Sequence, residues 1–161
     1  MQVYVDSIDR KILALLQTNG ALSATEVAQQ VGLSQSPVWR RINRLEKTKV
    51  IAARVAVLDP RRLGFDVTVF VQVKFGSRGP NSVARFEATI RAMPEVQECH
   101  MLMGNMDFLL KVVTRNVETY ERFLRSKLAS LPGVKGIQSS LSLTEVKSDR
   151  ALPLQLEVEP E

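Results

Sequence analysis

The chain has very little of the chemistry on which enzymes and metal sites depend. Its 161 residues include one cysteine and one histidine, which are the neighbours Cys99 and His100. Adjacent residues of a strand point to opposite faces, so these two cannot pair as nucleophile and base, and two adjacent residues alone do not make a metal site. No glycine-rich loop that would cradle a phosphate is present. We therefore predict that the protein is not an enzyme and has neither a metal nor a cofactor.

Long apolar runs and a disulfide framework are also missing. No apolar run approaches the roughly 20 residues that a membrane-spanning helix needs, and no signal-peptide pattern opens the chain. A single cysteine has no internal disulfide partner, which favours a cytoplasmic setting. The remaining composition, 45% apolar and 24% charged, is typical of a globular protein.

The excess positive charge lies in the first third of the chain. Residues 1–62 contain 10 Lys or Arg and 5 Asp or Glu, whereas residues 63–161 contain 12 of each. The whole formal net charge of +5 therefore belongs to the N-terminal part. Within it, residues 40–49 hold five cations and one acid. Such a concentration of cations on one segment is suited to the phosphates of duplex DNA.

Residues 1–50 predict a helix-turn-helix domain made of three amphipathic helices. Ser23 and Glu26 have the spacing of a capping box and should begin the second helix. Gly32 can adopt the left-handed conformation that ends this helix, and Ser34 is expected to cap the third. A basic helix after a glycine turn fits the major groove, so we predict that the protein binds double-stranded DNA.

The third helix separates apolar from polar residues. Val38, Ile42 and Leu45 should face the first two helices, and at 100° per residue Arg44 falls among the residues on the opposite side. Arg40 can pair with guanine and Gln35 with adenine. The predicted DNA contacts are Ser34, Gln35, Ser36, Trp39, Arg40, Arg41, Asn43, Arg44 and Lys47, of which Arg41, Arg44 and Lys47 are expected on phosphates. A merely solvated charged face is the alternative, and Trp39 can equally pack on the helix edge.

Residues 51–64 predict an extended linker or strand and a hinge, and residues 65–152 a second domain. The apolar residues alternate in residues 67–75, as in a strand, and the following segments continue the order β-α-β-β-α-β. This is the ferredoxin-like arrangement, with two helices on one face of a four-stranded antiparallel sheet, and it makes the protein α+β. A second copy is the natural cover for the other face. Residues 153–161 form an acidic tail.

The order and spacing of several short motifs carry a resemblance over about residues 5 to 155. The chain resembles the leucine-responsive/asparagine-responsive (Lrp/AsnC) family of prokaryotic transcription regulators. The motifs are Asp9-Arg10-Lys11-Ile12-Leu13, Val31-Gly32-Leu33-Ser34, Arg40-Arg41 through Leu45-Glu46, Gly104-x-x-Asp107-Phe108-x-Leu110, Pro132-Gly133-Val134 and Leu152-Pro153-Leu154. Lys49 departs from the family, which usually carries Gly there, and a left-handed Lys49 would cost about 1 kcal/mol relative to Gly.

The resemblance implies homodimers that assemble further, often to octamers, and an amino-acid effector site between neighbouring second domains. Asp107 can accept an ammonium group, and Ser139 and Ser140 can bond a carboxylate. The predicted pocket set is Met103, Gly104, Asn105, Asp107, Gln138, Ser139 and Ser140, and the methionines near the turn favour a leucine- or methionine-like ligand. From the residues alone, a plain hairpin turn explains the same loop.

Two functions remain compatible with this pattern. The first is a sequence-specific transcriptional regulator whose assembly and DNA binding respond to an amino acid. The alternative is an architectural protein that organises DNA without an effector, because cations that bind phosphates look the same in both cases.

Overall fold

The computed structural model describes residues 3–76 and 80–154. The chain divides into two compact units, one formed by the described residues up to Val57 and from Lys147 onward, the other by Leu58–Val146. Residues 147–152, which the sequence analysis placed in the second domain, are thus grouped with the first unit. Two hydrogen bonds hold this segment to the first unit: the side-chain amide of Gln17 donates to the carbonyl of Leu152 (3.0 Å) and accepts from the backbone N–H of Leu152 (2.9 Å). The predicted tail lies outside the described residues from 155 onward.

Three helices form the first unit. They are α1 (Ser7–Thr18), α2 (Ala24–Val31) and α3 (Gln35–Lys47). The predicted capping box is present at the start of α2, where Ser23 and Glu26 bond each other's backbone N–H, and Gly32 ends the helix with φ 72°. Val38, Ile42 and Leu45 of α3 are buried, as their spacing predicts. This part of the fold therefore follows from the local pattern.

The end of α3 decides the backbone conformation of Lys49, which the sequence left open. Lys49 has φ 61° and is the one non-glycine residue with positive φ in the described chain. Its N–H bonds the carbonyl of Glu46, and the N–H of Ile51 bonds that of Leu45 at 3.0 Å. The left-handed residue thus lets the chain reverse while the last carbonyls of the helix stay bonded. After it, residues 52–59 form neither helix nor strand.

The second unit has the predicted β-α-β-β-α-β order. Its elements are β1 (Val67–Phe75), α4 (Pro80–Arg91), β2 (Val96–Met101), β3 (Phe108–Thr114), α5 (Val117–Phe123), a π-helical turn (Leu124–Leu128) and β4 (Val134–Leu141). The strands lie in the order β2-β3-β1-β4, and each neighbouring pair is antiparallel. The sequence pattern predicts a last strand from Val134 to about Lys147, but the strand ends at Leu141.

The two faces of this sheet differ. Alternate residues of β1, from Val67 to Phe75, are buried in one core with Phe86 of α4 and Phe123 of α5. The residues between them lie on the open face, where Phe70 remains 41% exposed. No helix in the described part of the chain is long and apolar enough to span a membrane.

Candidate nucleic-acid interface and effector loop

Helix α3 presents a polar face away from its buried stripe. Ser36, Arg40, Asn43 and Lys47 follow one another at spacings of three or four residues and therefore share this face. Arg40 and Lys47 are exposed and form no ion pair with any described residue. Trp39 lies on the flank and is 57% exposed. The two cations are thus available to an external anion.

The beginning of α3 is also open to solvent. Ser34 occupies the N-cap position as predicted, but its side chain makes no capping hydrogen bond. Gln35 and Ser36 follow it on the surface. The first turn of the helix therefore exposes three polar side chains near Arg40. In helix-turn-helix proteins, the N-terminal residues of the recognition helix are the ones that contact base edges.

Arg41 and Arg44 occupy a different environment from the other predicted DNA contacts. Nη1 of Arg41 lies 2.6 Å from Oδ2 of Asp6 and 2.9 Å from Oδ1 of Asp9, while Nη2 of Arg44 contacts Oδ2 of Asp9. The helical projection placed Arg44 opposite the core, whereas its guanidinium reaches back to a carboxylate with no exposed surface. A buried carboxylate requires such a partner, and the long Arg side chain can supply it.

The sequence did not indicate this ion cluster of Asp6, Asp9, Arg41 and Arg44, since its pattern predicts only that Asp6 and Asp9 supply acidic residues at the start of the first helix. The backbone N–H of Asp9, followed by the Arg41 guanidinium, lowers the pKa of the Asp6 carboxyl. Hydrogen bonds to Asp6 and Asp9 raise the pKa of Arg41. The spacing of residues in α1 could have indicated this cluster. Asp9 lies in the same helical stripe as the apolar Ile12 and Leu16, and all three are buried, so its carboxylate needs a partner.

The loop between β2 and β3 contains four of the seven predicted effector residues. Met103 is fully exposed, and Gly104 has φ 154°. Asp107 ends the loop: its carbonyl accepts from the N–H of Leu102 (2.8 Å), and its own N–H donates to Val73 (2.9 Å). The loop is therefore tied at its base to β1.

The carboxylate of Asp107 has a structural role, because it bonds the backbone of β1. The residue is 7% exposed, and Oδ2 accepts from the backbone N–H of Phe75 at 2.8 Å. Lys74 reaches the same place from β1, where its ammonium donates to the Asn105 carbonyl and lies 3.6 Å from Oδ2 of Asp107. The ammonium of Lys74 thus lies beside the nearly buried carboxylate of Asp107.

The three predicted effector residues on β4 do not share one face. Ser139 pairs with the buried Val71 and its hydroxyl contacts that of Tyr120 on α5. Gln138 and Ser140 pair with Gln72 and Phe70 and lie on the open face. These three neighbours belong to one predicted pocket, but the alternation of a strand places Ser139 on the opposite face from the other two.

A cavity that the sequence did not indicate lies between α4 and β2. Its volume is about 350 Å³, and Ile90, Val96 and Phe108 line it together with Cys99 and Met101. Burial, followed by the nearby Glu87 carboxylate, raises the pKa of the Cys99 thiol. The thiol therefore stays protonated near neutral pH.

A helix-turn-helix unit joined to a ferredoxin-like unit is the architecture of a DNA-binding regulator with a separate sensory domain. Known proteins agree with this class. Residues 5–46 match the AsnC-type helix-turn-helix domain, and residues 68–152 match the Lrp/AsnC ligand binding domain. The chain belongs to the Lrp/AsnC family and is a DNA-binding transcriptional regulator.

Individual relatives are similar over almost their entire length. The Bkd operon transcriptional regulator of Pseudomonas aeruginosa is 40% identical over 93% of this chain and 98% of its own. The leucine-responsive regulatory protein of Salmonella typhimurium is 34% identical over 94% and 92%. A Neisseria meningitidis regulator solved in complex with L-Met has TM-score 0.90 and 34% identity, covering 94% of this chain and 97% of that one. These relatives are regulators, which confirms the prediction of a non-enzyme.

Proposed function

We propose that α3 reads specific sites in duplex DNA and that an amino acid bound to the second unit modulates this binding. The observation that carries the DNA assignment is the exposed face of α3, where Arg40 and Lys47 have no anionic partner among the described residues. A protein that presents unpaired cations on a helix of the right diameter gains counterion release on DNA. Such binding would take place in the cytoplasm.

The residues of α3 have different proposed tasks. Ser34, Gln35, Ser36, Trp39, Arg40 and Asn43 face base edges, with Arg40 on guanine and Gln35 on adenine. Lys47 contacts a phosphate. Arg44 is 42% exposed and has further N–H donors beyond the one on Asp9, so it can reach a phosphate while it stays paired. Arg41, which is 28% exposed and bonded to two acids, chiefly orients the helix.

The DNA assignment can be tested by fluorescence anisotropy on an operator selected from random duplexes. Arg40→Ala should weaken operator binding about tenfold or more, because a lost bidentate base contact costs about 1–3 kcal/mol. Its affinity for random DNA at the same salt should fall much less. Arg122→Ala, which removes an exposed cation of α5, is the matched control. Unchanged operator binding by Arg40→Ala would contradict the recognition role.

The effector assignment is supported by the family of the second unit and by the L-Met complex of the similar Neisseria meningitidis regulator. We place the effector at the loop of Met103, Gly104, Asn105 and Asp107, with Gln138 and Ser140 contributing from β4. The hydroxyl of Ser139 already contacts Tyr120, so it belongs to this site only if that contact opens. A leucine- or methionine-like amino acid fits the exposed Met103.

The assembly that would respond is a homodimer that associates further, up to an octamer. The open face of the sheet supports this, because it leaves the ring of Phe70 41% exposed. A second copy of the same sheet would cover this apolar side chain. Two α3 helices in one dimer would then address successive major grooves of a roughly palindromic site.

A thermal-shift series against the twenty amino acids tests the effector assignment. A ligand at about 100 times its Kd should stabilise the protein by roughly 2.7 kcal/mol, which is readily visible as a rise in Tm. Equal affinity for operator and random DNA, together with no shift from any amino acid, would instead favour an architectural protein that needs no effector.

A further inference from the structure

The side chain of Lys74 on β1 extends to the effector loop. Its ammonium group lies beside Asn105 and Asp107, where the ammonium group of an amino acid would bind in the proposed site. We propose that Lys74 is a built-in competitor for this position and so sets the affinity of the effector site. The inference rests on the proposed effector function of the loop. It adds a residue of β1 that the sequence did not single out.

The acceptors around Lys74 form a cation site. The ammonium donates to the Asn105 carbonyl and lies 3.6 Å from Oδ2 of Asp107. A carboxylate and a backbone carbonyl directed at one point are the partners that any primary ammonium needs, because it offers three donors and a full charge. The α-ammonium of a free amino acid meets the same requirements as the side chain of Lys74.

The carboxylate of Asp107 stays in place when the cation changes. Its Oδ2 accepts from the backbone N–H of Phe75 at 2.8 Å, and its side chain is only 10% exposed. The backbone of Asp107 also donates to Val73 of β1. The acceptor is therefore held by the sheet, and a ligand meets a preformed site.

Lys74 itself can leave at little cost. Its side chain is 39% exposed and reaches the loop through a flexible four-carbon stem. An ion pair with this exposure is only weakly stabilising. An incoming amino acid can therefore displace the Lys74 ammonium into solvent and take over both acceptors.

Competition of this kind has a measurable consequence. If Lys74 holds the acceptors about four-fifths of the time, the apparent Kd of the effector is about fivefold above the intrinsic value. Removing the ammonium should remove this factor. The gain should require an ammonium on the ligand, because only that group competes with Lys74.

The test is calorimetric titration of the full-length protein with L-methionine and with its des-amino analogue. The variants are Lys74→Met, which removes the cation, and Lys74→Gln, which keeps a donor for the Asn105 carbonyl. Lys135→Met is the control, since Lys135 is an exposed lysine at the bulge between β1 and β4. Thermal melts establish that each variant is folded.

We expect both Lys74 variants to bind L-methionine about fivefold more tightly than wild type, with no gain for the des-amino analogue and none in Lys135→Met. Weaker or equal binding in folded Lys74→Met and Lys74→Gln would overturn the competitor role while leaving the effector site intact. If neither L-methionine nor L-leucine, titrated in the same way, binds wild type or the Lys74 variants, the proposed effector site itself fails.

Discussion

Arg41 of α3 donates to the fully buried carboxylate of Asp9 in α1 at 2.9 Å. This bond joins α3 to α1. The polar face and the paired flank belong to the same helix, so the contact helps to hold the face of α3 that we propose for DNA binding. In this proposal, stability and recognition are coupled.

Asp9→Ala should lower the free energy of unfolding of the first unit by about 3 kcal/mol. The substitution leaves Arg41 and Arg44 without their shared carboxylate and removes part of the capping box of α1. Urea unfolding followed by the fluorescence of Trp39, the single tryptophan, measures the change.

A matched control exists in the same unit. Glu46 pairs with Arg54 at the same 2.9 Å, but both side chains are more than a third exposed. Glu46→Ala should therefore cost less than about 1 kcal/mol. An equal loss in the two variants would show that burial of Asp9 has no special weight.

Lys49→Gly should stabilise the protein by about 1 kcal/mol. Lys49 has φ 61°, a conformation in which a Cβ is strained and glycine is not. Lys49→Ala removes the same charge and side chain but keeps the Cβ, so chemical unfolding should detect no comparable gain. Equal stabilisation by Ala and Gly would mean that relief of charge, and not of backbone strain, is responsible.

The stability of the first unit should fall in acid through Asp6. The N–H of Asp9 and the Arg41 guanidinium hold the pKa of folded Asp6 below its ordinary value of 3.8. The unfolded state therefore takes up a proton first, and the stabilisation is complete above pH 3.8 and is lost as the pH falls through the folded pKa. Asp6→Asn should flatten this part of the curve of unfolding free energy against pH. A curve that keeps its slope would assign the acid transition to other carboxylates, such as Glu26.

The salt dependence of DNA binding should separate phosphate contacts from positioning residues. Lys47→Ala should reduce the slope of log K against log salt by about 1, because one phosphate contact and its released counterion are lost. Arg41→Ala should lower the free energy of unfolding but leave this slope nearly unchanged, since the charge of Arg41 is already balanced by two acids. Anisotropy titrations at several salt concentrations measure both slopes, and a larger change for Arg41 would reverse the two roles.

Features that depend on neighbouring residues were predictable from the sequence. The buried stripe of Val38, Ile42 and Leu45 follows from helical period, and the strand of residues 67–75 from alternation. The sequence singled out Lys49 as a departure from the usual Gly but left its backbone conformation open, and the structure shows it to be left-handed. The end of β4 was missed, because apolar residues continue beyond Leu141 while its pairing with β1 stops there.

The sequence by itself determined the class of this protein: a basic helix-turn-helix joined to a β-α-β-β-α-β domain, with its charge on the DNA-binding part. Only the tertiary structure decided the partners of individual side chains. Arg41 and Asp9 are 32 positions apart, as are Phe75 and Asp107. Helix and strand periods are set by the backbone, so neighbouring residues reveal them, whereas such pairs form only when packing brings a buried carboxylate to a polar group that is distant in the sequence.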